Sequence, residues 1–265
     1  MPTRRRAYVI AQFSDVHCGD PRFEEQLMLR LVREVNEARP DLVIVPGDLT
    51  ADGYDEQFHE FTRFLDLIDC PQRVVIAGNH DCRNVGDLLF ERIVGPRNLT
   101  ATFDFPPDGD RSLVVVAVDS NIPDLNDGEV GREKMRLAER DLAGDAGFRI
   151  FVLHHHLVSI PGTGRERNIV WDAGDVLHSL RDAGVDLVLA GHKHVPYIWP
   201  VGDTLIVTSG TGASRRTRGD APPSYNLLEI DGRSIEVTVR SLADGVAVKQ
   251  RLPRRAGEAR TARAR

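Results

Sequence analysis

Five short segments of the chain carry acidic, amide and imidazole side chains, and each follows an apolar run. They are Asp15-Val16-His17, Gly47-Asp48, Gly78-Asn79-His80-Asp81, His154-His155-His156 and Gly191-His192-Lys193-His194. Imidazole and carboxylate with one amide and no sulfur are typical ligands of divalent or trivalent ions such as Mn, Fe, Zn or Co, and not of Ca or of a structural zinc site. These ligand groups exceed the needs of one ion. The segments therefore predict two ions that share a carboxylate, an arrangement suited to in-line phosphoryl displacement.

Each segment taken alone has an ordinary structural alternative. Asp-x-His after a strand is more often a turn with a surface histidine, and Gly-Asp is a common turn. For Gly-His-Lys-His the two interpretations are balanced. All five occur together, each at the end of an apolar run, which favours one metal site over five unrelated turns.

Short β-rich runs alternate with longer segments of helical period, which predicts a layered α/β fold. The predicted strands cover residues 8–13, 42–46, 73–77, 113–118, 150–153, 187–190 and 205–208. Helices are predicted at 24–38, 58–68, 133–142 and 175–183. The carboxyl ends of strands in an open α/β sheet share one edge, so residues distant in sequence converge there. We therefore expect the five segments to meet at that edge.

The pattern changes near the C-terminus, where three predicted strands follow one another without helices. They cover residues 226–230, 235–241 and 246–252 and are separated by the turn signals Asp231-Gly232 and Asp244-Gly245. We predict one domain over residues 1–252, with a β-meander at 225–252, and a disordered arginine-rich tail at 253–265.

The order of the five segments resembles the calcineurin-like metallophosphoesterase family, from about residue 8 to residue 225. The resemblance implies a four-layer α/β/β/α sandwich with two central mixed sheets. It also implies that Asp15, His17, Asp48 and His194 hold one metal, while Asp48, Asn79, His154 and His192 hold the other. By the same resemblance His80 acts on the substrate, either stabilising the charged transition state or protonating the leaving oxygen, and Asp81 orients it.

The triple histidine leaves a choice of ligand. Family members usually place the ligand first after the strand, which selects His154. His155 would then lie near the substrate or behind the ligands, and His156 stands where many relatives have proline.

The chemistry expected of such a centre is in-line attack on phosphorus by a hydroxide that bridges the two ions, because bound cations acidify water. The chain looks most like the small bacterial phosphodiesterase branch, which includes cyclic-nucleotide and glycerophosphodiester hydrolases. A phosphomonoesterase or a nuclease is an alternative on the same site, since the fold does not choose between them. A non-catalytic metal-binding scaffold is an alternative of another class.

Composition limits the partners and the compartment. The formal charge of -6 and pI near 5.9 argue against nucleic acid as a partner and leave a small phosphoester as the expected substrate. Three cysteines without a paired spacing fit a reducing cytoplasm, and no apolar run reaches the roughly 18 residues of a membrane span. A homo-oligomer is compatible with the sequence. Five loop arginines are candidates for contacting the phosphate, with surface solvation as the alternative for each: Arg165, Arg167, Arg215, Arg216 and Arg218.

Overall fold

Two β-sheets lie at the centre of the computed structural model, which describes residues 7–109, 111–164, 168–218 and 220–254. Within these ranges each sheet has six strands. The strands are β1 (Tyr8–Gln12), β2 (Leu42–Pro46), β3 (Arg73–Ile76), β4 (Leu99–Asp104), β5 (Ser112–Ala117), β6 (Ala146–Val152), β7 (Leu187–Ala190), β8 (Tyr197–Val201), β9 (Thr204–Thr208), β10 (Ser224–Ile230), β11 (Ser234–Ser241) and β12 (Ala247–Pro253). The first sheet has the order β12-β11-β10-β1-β2-β3, and the second has the order β4-β5-β6-β7-β9-β8.

Both sheets are mixed. In the first sheet, β1, β2 and β3 are parallel, while β10 runs antiparallel to β1 and continues into an antiparallel meander. In the second sheet, β5, β6, β7 and β9 are parallel, and β4 and β8 are antiparallel edge strands. The carboxyl ends of the parallel strands therefore form one edge in each sheet.

Five helices connect these strands in the described ranges: α1 (Glu25–Ala38), α2 (Asp55–Leu65), α3 (Gly86–Ile93), α4 (Arg132–Leu142) and α5 (Ala173–Ala183). In α1, Met28, Leu31, Val32 and Val35 are buried at helical spacing. The helix ends at Arg39, which has a left-handed backbone and precedes Pro40.

The apolar core is divided into three layers. One cluster packs α1, α2 and α3 on the outer face of the first sheet, and another packs α4 and α5 on the outer face of the second sheet. The third cluster lies between the sheets. Along β2, for example, Val43 and Val45 face the helices while Leu42 and Ile44 face the other sheet. This is the predicted α/β/β/α sandwich, and the fold-class prediction is confirmed.

One α-helix and two strands of the described ranges were not predicted: α3, β4 and β8. Pro253 and Arg254, which the sequence analysis assigned to the tail, belong to the folded part. Strand β12 ends at Pro253, and Arg254 is buried because its guanidinium binds Asp108. The other predicted tail residues, 255–265, lie outside the described ranges. In the described part of the chain, no helix has both the length and the apolar character to cross a bilayer.

Candidate metal centre

The seven predicted metal ligands converge at the carboxyl ends of strands from both sheets. Asp15 and Asp48 follow β1 and β2, and Asn79 follows β3; on the second sheet, His154 follows β6 and His192 follows β7. Each of the seven side-chain positions is buried. Helices and loops therefore remove these polar groups almost completely from water, which is costly unless something pairs with them.

The loops that present these ligands have an unusual backbone. Five of the seven have a left-handed backbone, with φ between 54° and 76°: Asp15, His17, Asp48, His192 and His194. This conformation is uncommon for residues other than glycine and is often found at functional sites. The loops also approach closely, because a Cβ on Gly78 would lie 2.2 Å from the backbone nitrogen of Asp48.

One cluster of ligand atoms comprises Asp15, His17, Asp48 and His194. His194 Nε2 lies 3.1 Å from His17 Nε2 and 3.3 Å from Asp15 Oδ1. His17 Nε2 also lies 3.6 Å from Asp48 Oδ2. Four ligand atoms therefore surround a common point.

A second cluster lies beside the first and also uses Asp48, here with His154 and His192. His154 Nε2 is 3.4 Å from Asp48 Oδ1 and 3.1 Å from the side-chain oxygen of Asn79. The same Asn79 oxygen is 3.0 Å from His192 Nδ1. Since the two carboxylate oxygens of Asp48 face different clusters, Asp48 is in the position of a bridge.

The hydrogen bonds around the clusters test whether cations fit. Nδ1 of His154 donates to the Pro46 carbonyl at 2.7 Å, and Nδ1 of His194 donates to the Arg216 carbonyl. In the neutral rings both Nε2 atoms are then unprotonated acceptors, yet they face other acceptor atoms. Metal-binding histidines typically donate their other N–H to a carbonyl in this way. Separations of about 3.0 to 3.4 Å are also those between neighbouring ligands when metal bonds are near 2.1 Å. The residues therefore fit two cations.

Burial and neighbouring charges shift the pKa values of His17, His192 and Asp15 towards the forms that bind metal, and that of His154 in the opposite sense. Burial, with neighbouring histidines, holds the pKa values of His17 and His192 well below the ordinary value. Burial also opposes protonation of His154, but the carboxylates of Asp48 and Asp15 outweigh it and raise the pKa. For Asp15 the desolvation is outweighed by His194, so the pKa of this carboxyl is lowered. Neutral imidazoles and an ionised carboxylate are the forms that bind metal.

His80 lies next to the first cluster, with its ring centroid 4.5 Å from that of His17. Its Nδ1 donates to the Ala51 carbonyl at 2.6 Å, and its Nε2 accepts from Arg83 and Arg216. Burial is the main reason why the pKa of His80 is lowered. The ring is thus fixed at the rim of the metal clusters with Nε2 towards two guanidinium groups.

Asp81 has a different role from the predicted one of orienting His80. Its carboxylate accepts hydrogen bonds from the backbone N–H groups of Leu49, Thr50 and Gly78, and from the hydroxyl of Thr50. Burial and the charge of Asp48 raise its pKa to about 7. Asp81 therefore joins the loops that carry Asp48 and Asn79, and the Ala51 carbonyl orients His80.

The other two histidines of the triplet lie beside His192. His155 bonds to Ser120 Oγ through Nδ1 and to the Asn126 carbonyl through Nε2. The ring of His156 stacks on His192 at 5.8 Å. Of the three, His154 is the one whose Nε2 faces Asp48 and Asn79.

Residues outside the five segments complete the site. Arg83 and Asn126 were not predicted; Asn126 accepts a hydrogen bond from the amide of Asn79. Arg83 could have been suspected because it follows Asp81 by two positions, whereas nothing in the sequence marks Asn126. Among the predicted loop arginines, Arg216 reaches His80, Arg215 pairs with Glu24 at the surface and Arg218 is exposed. Arg165 and Arg167 lie outside the described residues.

Known proteins that resemble this chain include phosphoesterases, which agrees with the presence of two clusters of metal-binding side chains. A family model described as calcineurin-like phosphoesterase matches residues 8–196. A probable cyclic nucleotide phosphodiesterase of Synechococcus sp. is 25% identical over 230 residues, which are 84% of this chain and 87% of that protein. A 3′,5′-cyclic adenosine monophosphate phosphodiesterase of Pseudomonas aeruginosa is 31% identical over 144 residues, covering 51% of this chain and 46% of that one. Purple acid phosphatase from yellow lupin superposes with a TM-score of 0.75 at 16% identity, over 96% of this chain and 55% of that one.

The chain belongs to the calcineurin-like phosphoesterase family, since the family model matches well over half of it. The yellow lupin phosphatase, at its low identity, shows the shared fold alone. Together with the two ligand clusters, membership makes the protein a metal-dependent hydrolase of phosphoric esters that binds divalent metal ions.

Proposed function

We propose that the protein is a dinuclear-metal phosphodiesterase whose substrates are cyclic nucleotides. The observation that carries the proposal is the pair of buried ligand clusters that share Asp48. The substrate class is that of the Synechococcus and Pseudomonas relatives, which are a probable cyclic nucleotide phosphodiesterase and a 3′,5′-cyclic adenosine monophosphate phosphodiesterase.

In this proposal Asp15, His17, Asp48 and His194 hold one ion, while Asp48, Asn79, His154 and His192 hold the other. Two bound cations supply an acidified water and a clamp for the attacking and leaving oxygens of the phosphoryl group. The candidate ions are Mn, Fe and Zn, because the donors are imidazole, carboxylate and amide.

The protein's own groups orient these ligands and handle the proton. The Pro46 and Arg216 carbonyls fix the tautomers of His154 and His194, so the lone pair of each Nε2 points into the site. Ala51 fixes Nδ1–H of His80, so Nε2 is unprotonated in the neutral ring and would take up the proton that the attacking water releases before donating it to the leaving oxygen. Burial of the whole set excludes bulk water from the reacting groups.

Hydrolysis of a substrate panel by protein reconstituted separately with Mn, Fe and Zn tests the proposal. The panel contains a 3′,5′-cyclic nucleotide, bis(p-nitrophenyl) phosphate and p-nitrophenyl phosphate. We expect the two diesters to be hydrolysed faster than the monoester. Faster cleavage of the monoester would replace the proposal by a phosphomonoesterase, and metal binding without hydrolysis of any ester would replace it by a scaffold.

Single-residue variants distinguish the proposed role of metal ligand from the proposed catalytic role of His80. Asp48→Ala and His154→Ala are expected to lose metal and turnover together, because each removes a ligand. His80→Ala is expected to keep both metals and lose turnover by about 100-fold or more, the typical contribution of a general acid. Metal content by plasma mass spectrometry and kcat are measured on the same samples. A fully active His80→Ala protein would contradict the role of His80.

The cytoplasmic location and the oligomeric state stay predictions. The absence of a nucleic-acid partner, predicted from the net charge, also stays a prediction.

A further inference from the structure

Two guanidinium groups meet at a single nitrogen atom beside the metal clusters. Nη2 of Arg83 and Nη1 of Arg216 lie 3.2 and 3.1 Å from Nε2 of His80. Since Nδ1–H of His80 is directed at the Ala51 carbonyl, Nε2 offers one lone pair. Two cations therefore share one neutral acceptor, which is a weaker acceptor than an anion.

The rest of each arginine is held in place by the fold. Nη1 of Arg83 donates to the Ala51 carbonyl at 3.1 Å and to Asp52 at 3.0 Å. Its other terminal nitrogen, Nη2, is directed at His80. The guanidinium thus has one side fixed by protein oxygens and the other side facing the site.

Arg216 is anchored through its backbone. Its N–H donates to Ser214 Oγ, and its carbonyl accepts from His194 Nδ1. Among the described residues, Asp20 is the carboxylate within ion-pair distance, 4.0 Å from Nη1, and it already carries two hydrogen bonds from the Arg22 side chain. In this part of the chain, the guanidinium of Arg216 therefore has no close carboxylate that is free of other partners, and the charges of Asp48 and Asp20 act on it only through space.

We propose that Arg83 and Arg216 form an anion site that binds the non-ester oxygens of the substrate's phosphoryl group and, in the same place, inorganic phosphate. The inference deepens the proposed function and rests on it, because it takes the group that enters the metal centre to be a phosphoester. A phosphoryl oxygen is a better acceptor for a guanidinium than a neutral imidazole. Both arginines then exchange His80 for the phosphoryl oxygens, and Nε2 of His80 becomes free to face the leaving oxygen.

The position of Arg83 and Arg216 determines which part of the substrate they contact. His80 packs on His17 of the first cluster, so the guanidinium groups are at the rim of the metal centre. Contacts there are shared by any ester with an anionic phosphoryl group. The pair contributes affinity for the phosphoryl group itself and does not select the base of a nucleotide.

Isothermal titration of inorganic phosphate into the metal-loaded protein tests the site. Arg83→Gln and Arg216→Gln are compared with wild type and with Arg215→Gln, a matched control whose exposed side chain pairs with Glu24. We expect the Kd for phosphate to rise about tenfold or more in the first two variants, because each loses a charge-assisted hydrogen bond. The control binds phosphate as wild type does. Metal content is measured on every sample.

Kinetics with bis(p-nitrophenyl) phosphate, which has a single anionic group, form the second arm. KM is expected to rise in Arg83→Gln and Arg216→Gln, with part of the loss recovered in Arg216→Lys. Unchanged phosphate affinity in both glutamine variants at full metal content would overturn the proposal. The proposal would also be overturned if phosphate or substrate affinity fell only in samples that had lost metal. The same holds if affinity fell only for substrates that carry a second charged group.

The two proposals fail separately. A wild-type protein that binds phosphate through both arginines but hydrolyses no ester removes the proposed function and leaves the anion site. A wild-type protein that hydrolyses cyclic nucleotides, with phosphate affinity unchanged in both variants, removes the anion site alone.

Discussion

Asp81 connects two parts of the site that are distant in sequence. Asp81 is fully buried. Its carboxylate accepts a hydrogen bond from the backbone N–H of Leu49 in the loop after β2 and another from Gly78 in the loop after β3. One of those loops carries Asp48, the proposed shared ligand, and the other carries Asn79. The position of the bridge relative to the second cluster therefore depends on a residue that is not itself a ligand.

Replacing Asp81 by Ala is expected to destabilise the protein by about 3 to 5 kcal/mol, because it leaves several buried donors without an acceptor. The free energy of unfolding from urea titration measures the effect. Asp244→Ala is the control, since Asp244 is exposed and accepts a hydrogen bond from Val246 at the surface. The control is expected to cost about 1 kcal/mol or less. Equal costs for the two variants would contradict the role of Asp81.

The sequence predicts residue positions well where they follow strands and poorly where loops meet. The seven proposed ligands could be predicted to converge because a strand end determines where the next residue lies. The partners of Asp81 and His80 are set by contacts between loops, which no local pattern records. Ala51, for example, orients His80 through a backbone carbonyl, and any residue type could supply one.

The loop of residues 119–131, between β5 and α4, is an element that supports the second cluster. Asn126 in this loop accepts from the amide of Asn79 through its side chain and from His155 Nε2 through its carbonyl. Asn168 also donates to that carbonyl. The loop thereby orients the Asn79 amide so that its oxygen faces His154 and His192.

Asn126→Ala is expected to weaken metal binding at the second cluster by about tenfold, the low end for a residue that orients a ligand, because Asn126 is exposed to water. Binding at the first cluster should change little. Metal titration with two resolved dissociation constants measures the difference, and Leu125→Ala, an exposed neighbour in the same loop, is the control. If both constants are unchanged, the Asn79 amide does not need Asn126.

Helices and central strands were predicted because burial on defined faces gives them a clear period. The edge strand β4 alternates between half-buried and exposed residues, and its threonines and small alanine give a weak apolar signal. Helix α3 is short and buries Gly86 and Phe90, too few residues to establish a period. Elements at the margin of the sandwich therefore have too weak an apolar period to be predicted from the sequence.

Arg254 joins the end of the first sheet to the second sheet. Its guanidinium lies 5.2 and 4.9 Å from the ring centroids of Phe105 and Phe148 and makes two hydrogen bonds to Asp108. It also donates to the Gly147 carbonyl. The residue therefore connects both sheets at the open end of the core between them.

Arg254→Ala is expected to lower the free energy of unfolding by about 3 to 5 kcal/mol, because it breaks a buried ion pair and leaves Asp108 without its partner. The matched control is Arg251→Ala, which removes an exposed pair with Asp231 and should cost about 1 kcal/mol or less. Urea titration of both variants gives the comparison. A cost for Arg254→Ala no larger than that of the control would show that the sheets do not depend on this contact.

The left-handed backbone of five of the proposed ligands implies that stability is given up for function. Each such residue costs about 1 kcal/mol or more relative to a relaxed conformation, and without cations the facing lone pairs repel one another. In His194→Asn the short polar side chain can hydrogen-bond to its own backbone in this conformation, so the metal-free variant is expected to be at least as thermally stable as metal-free wild type. Scanning calorimetry with and without Mn should show that only wild type gains stability from the ion. The native sequence would then be the more stable one only with metal bound. In the metal-free protein, substitutions that remove the site would cost the fold no stability.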